Sequence, residues 1–190
     1  MTVAAVLLAA GAGRRMGRPK GLVRDGDGTA WVTRSAQVLA AGGCVPVLVV
    51  VGARGDEVGA LVPPPATAIL APGWAEGMGA SLRAGLRALP EVAGPGAVAA
   101  VVGLVDTPGV TAPVIARLVA RALAAGPAGL ARAGYGGVPG HPVVLGRAHW
   151  AAVAARAGGD TGARGYLATR PVLLVECGDV GDGRDVDEPG

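Results

Sequence analysis

Three segments, Val3 to Ala9, Val45 to Val51 and Ala97 to Val105, are apolar at nearly every position. A strand with one wet face alternates apolar and polar residues. An unbroken apolar run of this length suits a strand covered on both sides, as in a parallel sheet with helices on each face. Helical signals lie between the runs. Thr29 to Ala41 has Thr29 in the cap position and stops at Gly42 and Gly43, Ala80 to Leu89 places Leu82, Leu86 and Leu89 on one face, and Thr111 to Ala125 carries Pro113 in its first turn. A short helix over Gly55 to Leu61 and a strand over Thr67 to Ala71 complete the first half. This alternation predicts an α/β single-domain three-layer sandwich with a mostly parallel, Rossmann-like sheet. Beyond Ala125 the rhythm weakens. Ala128 to Arg132 and Pro142 to Leu145 read as short strands around a glycine-rich segment, Arg147 to Ala157 and Thr161 to Thr169 as helices, and Val172 to Val175 as a last strand. Glu176 to Glu188 holds six of the 14 acidic residues and is expected to be loosely held at its end.

The chain has 190 residues, enough for one domain and too few for two sizeable ones. Hydrophobic residues make up 51% and charged residues 16%, so a core is expected and disorder is not. Glycine (34) and proline (15) are abundant, yet the glycines punctuate apolar runs as loop residues do, rather than forming tracts. The net charge of +3 is modest, aromatics are 3% and the arginines are scattered. That leaves neither a stacking platform nor a basic stripe for nucleic acid. Cys44 and Cys177 lack metal-type spacing and read as buried small hydrophobes. The Val3 to Ala10 run has no basic segment before it and is too short to span a bilayer, which needs about 20 residues. The expectation is a soluble, cytoplasmic protein without membrane or nucleic-acid partners.

The first strand runs into a loop, residues 7–20, that carries Gly11, Gly13 and Gly17 together with Arg14, Arg15, Arg18 and Lys20. In an open α/β sheet, ligands bind beyond the carboxyl ends of the strands. Glycines there let backbone N–H groups approach an anion, so a polyphosphate is the expected ligand. Lys20 is the one lysine beside 16 arginines. A compact ammonium facing a phosphate is a task for which arginine is a poor substitute. A dinucleotide fingerprint needs a helix to start within the loop, and Pro19 disfavours helical geometry at Arg18. A P-loop needs Gly-Lys-Ser/Thr, whereas Lys20 stands between Pro19 and Gly21.

The loop resembles the signature LAAG-x-x-x-RMG-x-x-K of the MobA-like nucleotidyltransferases, here Leu8, Ala9, Ala10, Gly11, Arg15, Met16, Gly17 and Lys20. The likeness continues along the chain. Gly77 to Gly85 is similar to the GMG-x-SL-x-x-G segment of the molybdenum cofactor cytidylyltransferase branch, and Asp106-Thr107-Pro108 to its D-x-P metal turn. Gly137 to Val143 and Gly159 to Arg164 are similar to the late motifs of that branch, and Asp185-Val186-Asp187 to its closing D-[IV]-D. Gly13 stands where many members carry Ser, and Glu188 where the branch usually has Thr.

The resemblance implies a fold of the nucleotide-diphospho-sugar transferase type, with residues 1–110 as the NTP-binding half and 111–190 as the acceptor-binding half. It implies transfer of CMP from CTP to the phosphate of molybdenum-bound molybdopterin, with Arg15, Lys20 and Asp106 as the catalytic residues. Leu8, Ala9, Ala10, Gly11, Ala12, Gly13, Gly79 and Ser81 would join these three in binding the nucleotide. Mg²⁺, with Mn²⁺ as substitute, would sit on Asp106 and Asp187, with Asp185 as the alternative to Asp187 and a helix cap as the alternative role for Asp106. Ala10 favours CTP, since the guanylyl branch typically reads LAGG. Ser81 either reads the base or ribose or caps its own helix. His141, Asp160, Thr161 and Arg164 fall on the acceptor side; a structural His141 and an Asp160 helix cap are the alternatives. His149 reads as packing. A molybdenum hydroxylase apoenzyme is the implied downstream partner. The rival functions are the guanylyl reaction, nucleotidyl transfer to another phosphorylated metabolite, and non-catalytic carriage of molybdenum cofactor.

Overall fold

In strand β1 (Thr2–Ala9), every residue after Thr2 is buried. Its alternate side chains feed two separate cores. Val3, Ala5, Leu7 and Ala9 face one, and Ala4, Val6 and Leu8 the other. The computed structural model that shows this describes residues 1–187. Seven strands form one sheet in the order β3-β2-β1-β4-β6-β5-β7. β2 (Val47–Val51), β3 (Thr67–Leu70) and β4 (Ala97–Leu104) run parallel to β1 or to its neighbour. β6 (Val138–Gly146) lies antiparallel between β4 and β5 (Leu130–Tyr135), and β7 (Leu173–Glu176) is parallel to β5. The expected layered α/β sandwich with a mostly parallel sheet is the fold observed.

Helices α1 (Trp31–Ala41), α2 (Gly55–Gly59) and α4 (Ala112–Ala125) cover one face through Val32, Leu39, Val58, Ile115 and Leu118. Helices α3 (Met78–Val92) and α5 (Trp150–Arg156) cover the other through Leu82, Leu86, Leu89 and Val153. A short α6 (Arg164–Leu167) follows. Among the described residues no helix is long and apolar enough to cross a membrane. Both cysteines are buried and free, as expected. Burial pushes the Cys44 thiol up to about 12.

Several boundaries differ from the expectation for local reasons. α1 is capped by Ala30, not Thr29, because the Thr29 carbonyl accepts the Asp25 N–H in a tight turn and Ala30 bridges to Arg24. β2 starts at Val47, since Pro46 has no N–H to give the ladder. β5 and β6 are longer than expected and form a hairpin whose turn residues, Gly136 and Gly137, have φ of 61° and 79°. Two residues of positive φ suit the twist of a two-residue hairpin turn. The expected helix over Thr161 to Thr169 is interrupted by Gly162 (φ 53°), leaving a 3-10 turn over Gly159–Thr161 and the short α6.

The acidic tail is not loose over its described part. Asp182 N–H donates to Gly109 O (2.9 Å), Val186 N–H donates to Asp106 O (2.9 Å), and the Thr111 hydroxyl donates to Val180 O (2.6 Å). The tail therefore crosses the loop between β4 and α4 at the carboxyl ends of the strands. Glu188 lies outside the described residues.

Candidate active site

The carboxyl ends of β1 and β4 and the start of α3 enclose a cleft of about 440 Å³. Leu8 and Ala10 form its floor and the Gly11–Ala12–Gly13 loop one wall; Ser81 and Asp106 face the loop. The loop holds its shape through Gly13, whose φ is +58° and where a Cβ would overlap the Arg18 carbonyl oxygen. The serine found here in many similar sequences would not fit this conformation. After Pro19 the chain turns through one 3-10 turn, Lys20–Leu22, which carries Lys20 back toward the sheet.

Lys20 Nζ donates to Asp106 Oδ2 and to Asp187 Oδ1, each at 2.7 Å, and Arg15 Nη1 donates to Asp187 Oδ2 at 2.6 Å. Four charged candidates separated by up to 172 positions thus meet at one point. The Lys20 and Asp106 side chains are only 16% and 20% exposed, so the contact is shielded from water. Burial pulls the Lys20 amine down, but the hydrogen bonds and charges of Asp106 and Asp187 outweigh it and raise the amine above its usual value. The Lys20 hydrogen bond, with the Lys20 charge behind it, lowers the Asp187 carboxyl.

Two carboxylates gathered round one ammonium are a donor set a hard divalent cation accepts. Such an ion takes one or two protein carboxylates and completes its shell with waters and substrate phosphates. Among the described residues no cluster of three or more acidic, His or Cys side chains could hold a metal by itself. Asp185 is exposed and lies apart from this contact; its charge acts on His141 instead. Asp106 does not cap a helix: Thr111 caps α4, which begins at Ala112.

Not every sequence candidate reaches the cleft wall. Ala9 points into the opposite core. Gly79 packs against Gly158, where a Cβ would overlap the backbone, so its glycine serves close approach of α3 to the loop after α5. Ser81 is not a cap, since Gly77 caps α3, and it is buried on the cleft side. Arg15 is turned outward, 72% exposed, while Arg14 lines the cleft.

A second cavity adjoins the first across Leu8, Met78, Leu104 and Asp160. It brings together His141, Asp160, Thr161 and Arg164, and adds Arg132 from β5. Arg132 Nε and Nη2 donate to Gly140 O at 3.2 and 3.0 Å. Burial first, and then the charge of Arg164, lowers the Arg132 guanidinium. Burial and the Arg132 charge also lower His141, leaving its imidazole neutral at pH 7. Asp160 does not cap α6, which starts from Ala163. Arg132 escaped the sequence reading because a lone arginine in a short strand belongs to no motif. The signal available was its position inside an apolar run. His149 is structural, as expected: its ring bonds to the Tyr166 hydroxyl (2.8 Å) and the Ala128 carbonyl (3.0 Å).

Comparison with known proteins agrees with this geometry. The MobA-like NTP transferase domain matches residues 5–173. The chain is 35% identical to nicotine blue oxidoreductase of Paenarthrobacter nicotinovorans, over 97% of this chain and 92% of that protein. A Mycobacterium sp. strain JC1 homologue of Mycobacterium tuberculosis Rv0371c superposes with a TM-score of 0.78 at 30% identity, covering 98% of this chain and 90% of that one. Rv0371c of M. tuberculosis H37Rv, solved in complex with manganese, superposes with a TM-score of 0.72 at 22% identity, covering 93% and 88%. A loop signature, a sheet and a domain match that spans most of the sequence agree: the chain belongs to the MobA-like NTP transferase domain family.

Proposed function

We propose that this nucleotidyltransferase moves CMP from CTP to the phosphate of a molybdopterin-type acceptor, giving the cytosine dinucleotide form of the cofactor. The observation that carries the reading is the Lys20 ammonium held between Asp106 and Asp187 at the edge of a glycine-walled cleft. A carboxylate 2.7 Å from the phosphate-binding cation would repel a bare pyrophosphate. It suits a nucleotide that arrives with a divalent cation. Asp106 and Asp187 would hold Mg²⁺, with Mn²⁺ as substitute, and the ion, when bound, neutralises charge on phosphate oxygens. The manganese complex of Rv0371c supports this choice.

In the reaction an acceptor phosphate oxygen forms a bond to the α-phosphorus while the bond to the β-phosphate bridging oxygen breaks and pyrophosphate leaves. The protein's tasks are in-line positioning and charge stabilisation. Lys20, Arg14 and Arg15, with the amides of Gly11 to Gly17, would hold the departing phosphates. Ala10 would narrow the base slot toward a pyrimidine, and Ser81 would bond the base or ribose. Arg132 and Arg164 would hold the acceptor phosphate, with Asp160 and Thr161 beside them. The neutral His141 would offer a hydrogen bond rather than a charge. On this reading residues 1–110 supply most of the nucleotide site and 111–190 most of the acceptor site. A molybdenum hydroxylase apoenzyme would receive the product.

The relative named nicotine blue oxidoreductase points to a second reading, a redox reaction on the same scaffold. One assay separates the two. Purified protein with Mg²⁺, each of the four NTPs and molybdopterin is expected to release pyrophosphate, fastest with CTP. A change in the redox state of nicotine blue in the presence of the protein, and no pyrophosphate from any NTP, would favour the redox reading.

A further inference from the structure

Outside the two cavities, one charged network has no part in the chemistry described so far. Arg34, in the first turn of α1, reaches Pro108 O with Nη1 at 2.7 Å. Its Nε lies 2.8 Å from Asp25 Oδ2, and the side chains are 22% and 32% exposed. The angle there is too poor for a hydrogen bond, and Nε and Nη2 are buried without a hydrogen-bond partner. The Asp25 contact is therefore one of charge. The other Asp25 oxygen accepts from Trp31 Nε1 at 2.9 Å, and Asp25 N–H closes the turn onto Thr29 O.

These contacts join the two segments that must meet at the site. On one side the Lys20 turn passes directly into the Asp25 hairpin: Val23 N–H donates to Lys20 O, and Trp31 N–H to Val23 O. On the other side Pro108 ends the Asp106-Thr107-Pro108 turn. We propose that Arg34 is a positioning residue that holds the Asp106 turn in register with the Lys20 segment, so that ammonium and carboxylate meet at the edge of the cleft. The consequence for catalysis rests on the nucleotidyltransferase reading; the positional coupling does not. A planar guanidinium anchored by charge to one segment and by a hydrogen bond to the carbonyl of the other fixes their spacing more closely than a point charge on a flexible stem would.

The single lysine makes the test direct. Protein grown with [ε-¹³C]lysine shows one Lys20 resonance, read without nucleotide or metal. In Arg34→Ala this resonance is expected to move toward that of a free lysine. Arg34→Gln keeps an N–H donor for the Pro108 carbonyl but loses the charge for Asp25, adds no second lysine, and should move it less; it also serves should the alanine variant not fold. Val153→Ala, in the core on the other face of the sheet, should lower the melting temperature and leave the resonance in place. With CTP and acceptor, kcat in Arg34→Ala should fall about tenfold to a hundredfold with KM for CTP within about twofold, as for a small misplacement of reacting groups. An unmoved Lys20 resonance in folded Arg34→Ala, or an equal movement in Val153→Ala, would overturn the proposal. A moved resonance in a protein that never releases pyrophosphate, wild type included, would uphold the coupling and refute the nucleotidyltransferase reading.

Discussion

The two cavities share a wall and differ in how their charges are balanced. At the first, Lys20 is matched by Asp106 and Asp187, and outside the lining Arg15 pairs with Asp187, while Arg14 also lines the cleft. In the second, burial and then the charge of Arg164 lower Arg132, and Asp160 is the acidic residue in the lining. On the proposed reading, a paired lysine binds by exchange: an incoming triphosphate would take Lys20, and the carboxylates it releases would accept a cation. A cavity with unbalanced cations would bind an anion directly. The contrast supports a metal-bound polyphosphate at the first and a bare anionic group at the second.

The sharpest way to break this contrast is at Lys20. Lys20→Ala should abolish turnover while circular dichroism and gel filtration remain those of a folded chain, because the residue lies on a loop outside both cores. Activity retained at the wild-type rate would show that the exchange does not occur there. Asp106→Asn should cost at least about a hundredfold in Mg²⁺-dependent kcat, about 2.7 kcal/mol. A Mg²⁺ titration of both proteins reads this, and unchanged metal dependence would place the cation elsewhere.

The second cavity gives the next largest effect. Arg132→Ala should raise KM for the acceptor about tenfold, the loss of one charge-assisted hydrogen bond, with KM for CTP unchanged. Equal changes in both constants would show the two cavities to be one site. Base choice should respond less cleanly. One methyl is worth about 1–3 kcal/mol, so wild type should prefer CTP over GTP by roughly 10- to 200-fold, and Ala10→Gly should relax this in part. Competition between the two nucleotides measures both.

The smallest effect is that of pH on His141. Burial holds the folded-state imidazole below its ordinary 6.5. As pH falls through that value, the unfolded chain takes up a proton that the folded chain does not. Stability therefore declines from there downward, until the folded-state imidazole also titrates. An anion bound by Arg132 and Arg164 should raise the His141 titration, as seen by NMR. A lower titration with the anion bound would remove it from that cavity.

What the chain disclosed in advance follows the range of each signal. The apolar runs of β1, β2 and β4 are local and unbroken, so the parallel half of the sheet was legible to within a few residues. The glycine loop was legible because its residue types lie within ten positions. The β5–β6 hairpin was underestimated, since Pro139, Gly140 and Pro142 hide a strand whose pairing is made across the sheet. The contact of Lys20 with Asp187 spans 167 positions, and only resemblance to a motif pointed to it. The docking of the tail depends on backbone bonds to Gly109 and Asp106, which no residue pattern announces. Arg132 and Arg34 were missed for the same reason. Their hydrogen-bond partners are carbonyl oxygens, and a carbonyl has no sequence signature.

On the proposed reading this cleft binds a metal–triphosphate and splits it between the α- and β-phosphorus. Pyrophosphate release by the wild-type protein, measured with Mg²⁺, molybdopterin and each NTP in turn, tests it most directly. Release is expected with CTP above the other three nucleotides, and none when Mg²⁺ is chelated or Lys20 is replaced by Ala. Pyrophosphate absent under every combination, or its release unaffected by Lys20→Ala, would contradict it.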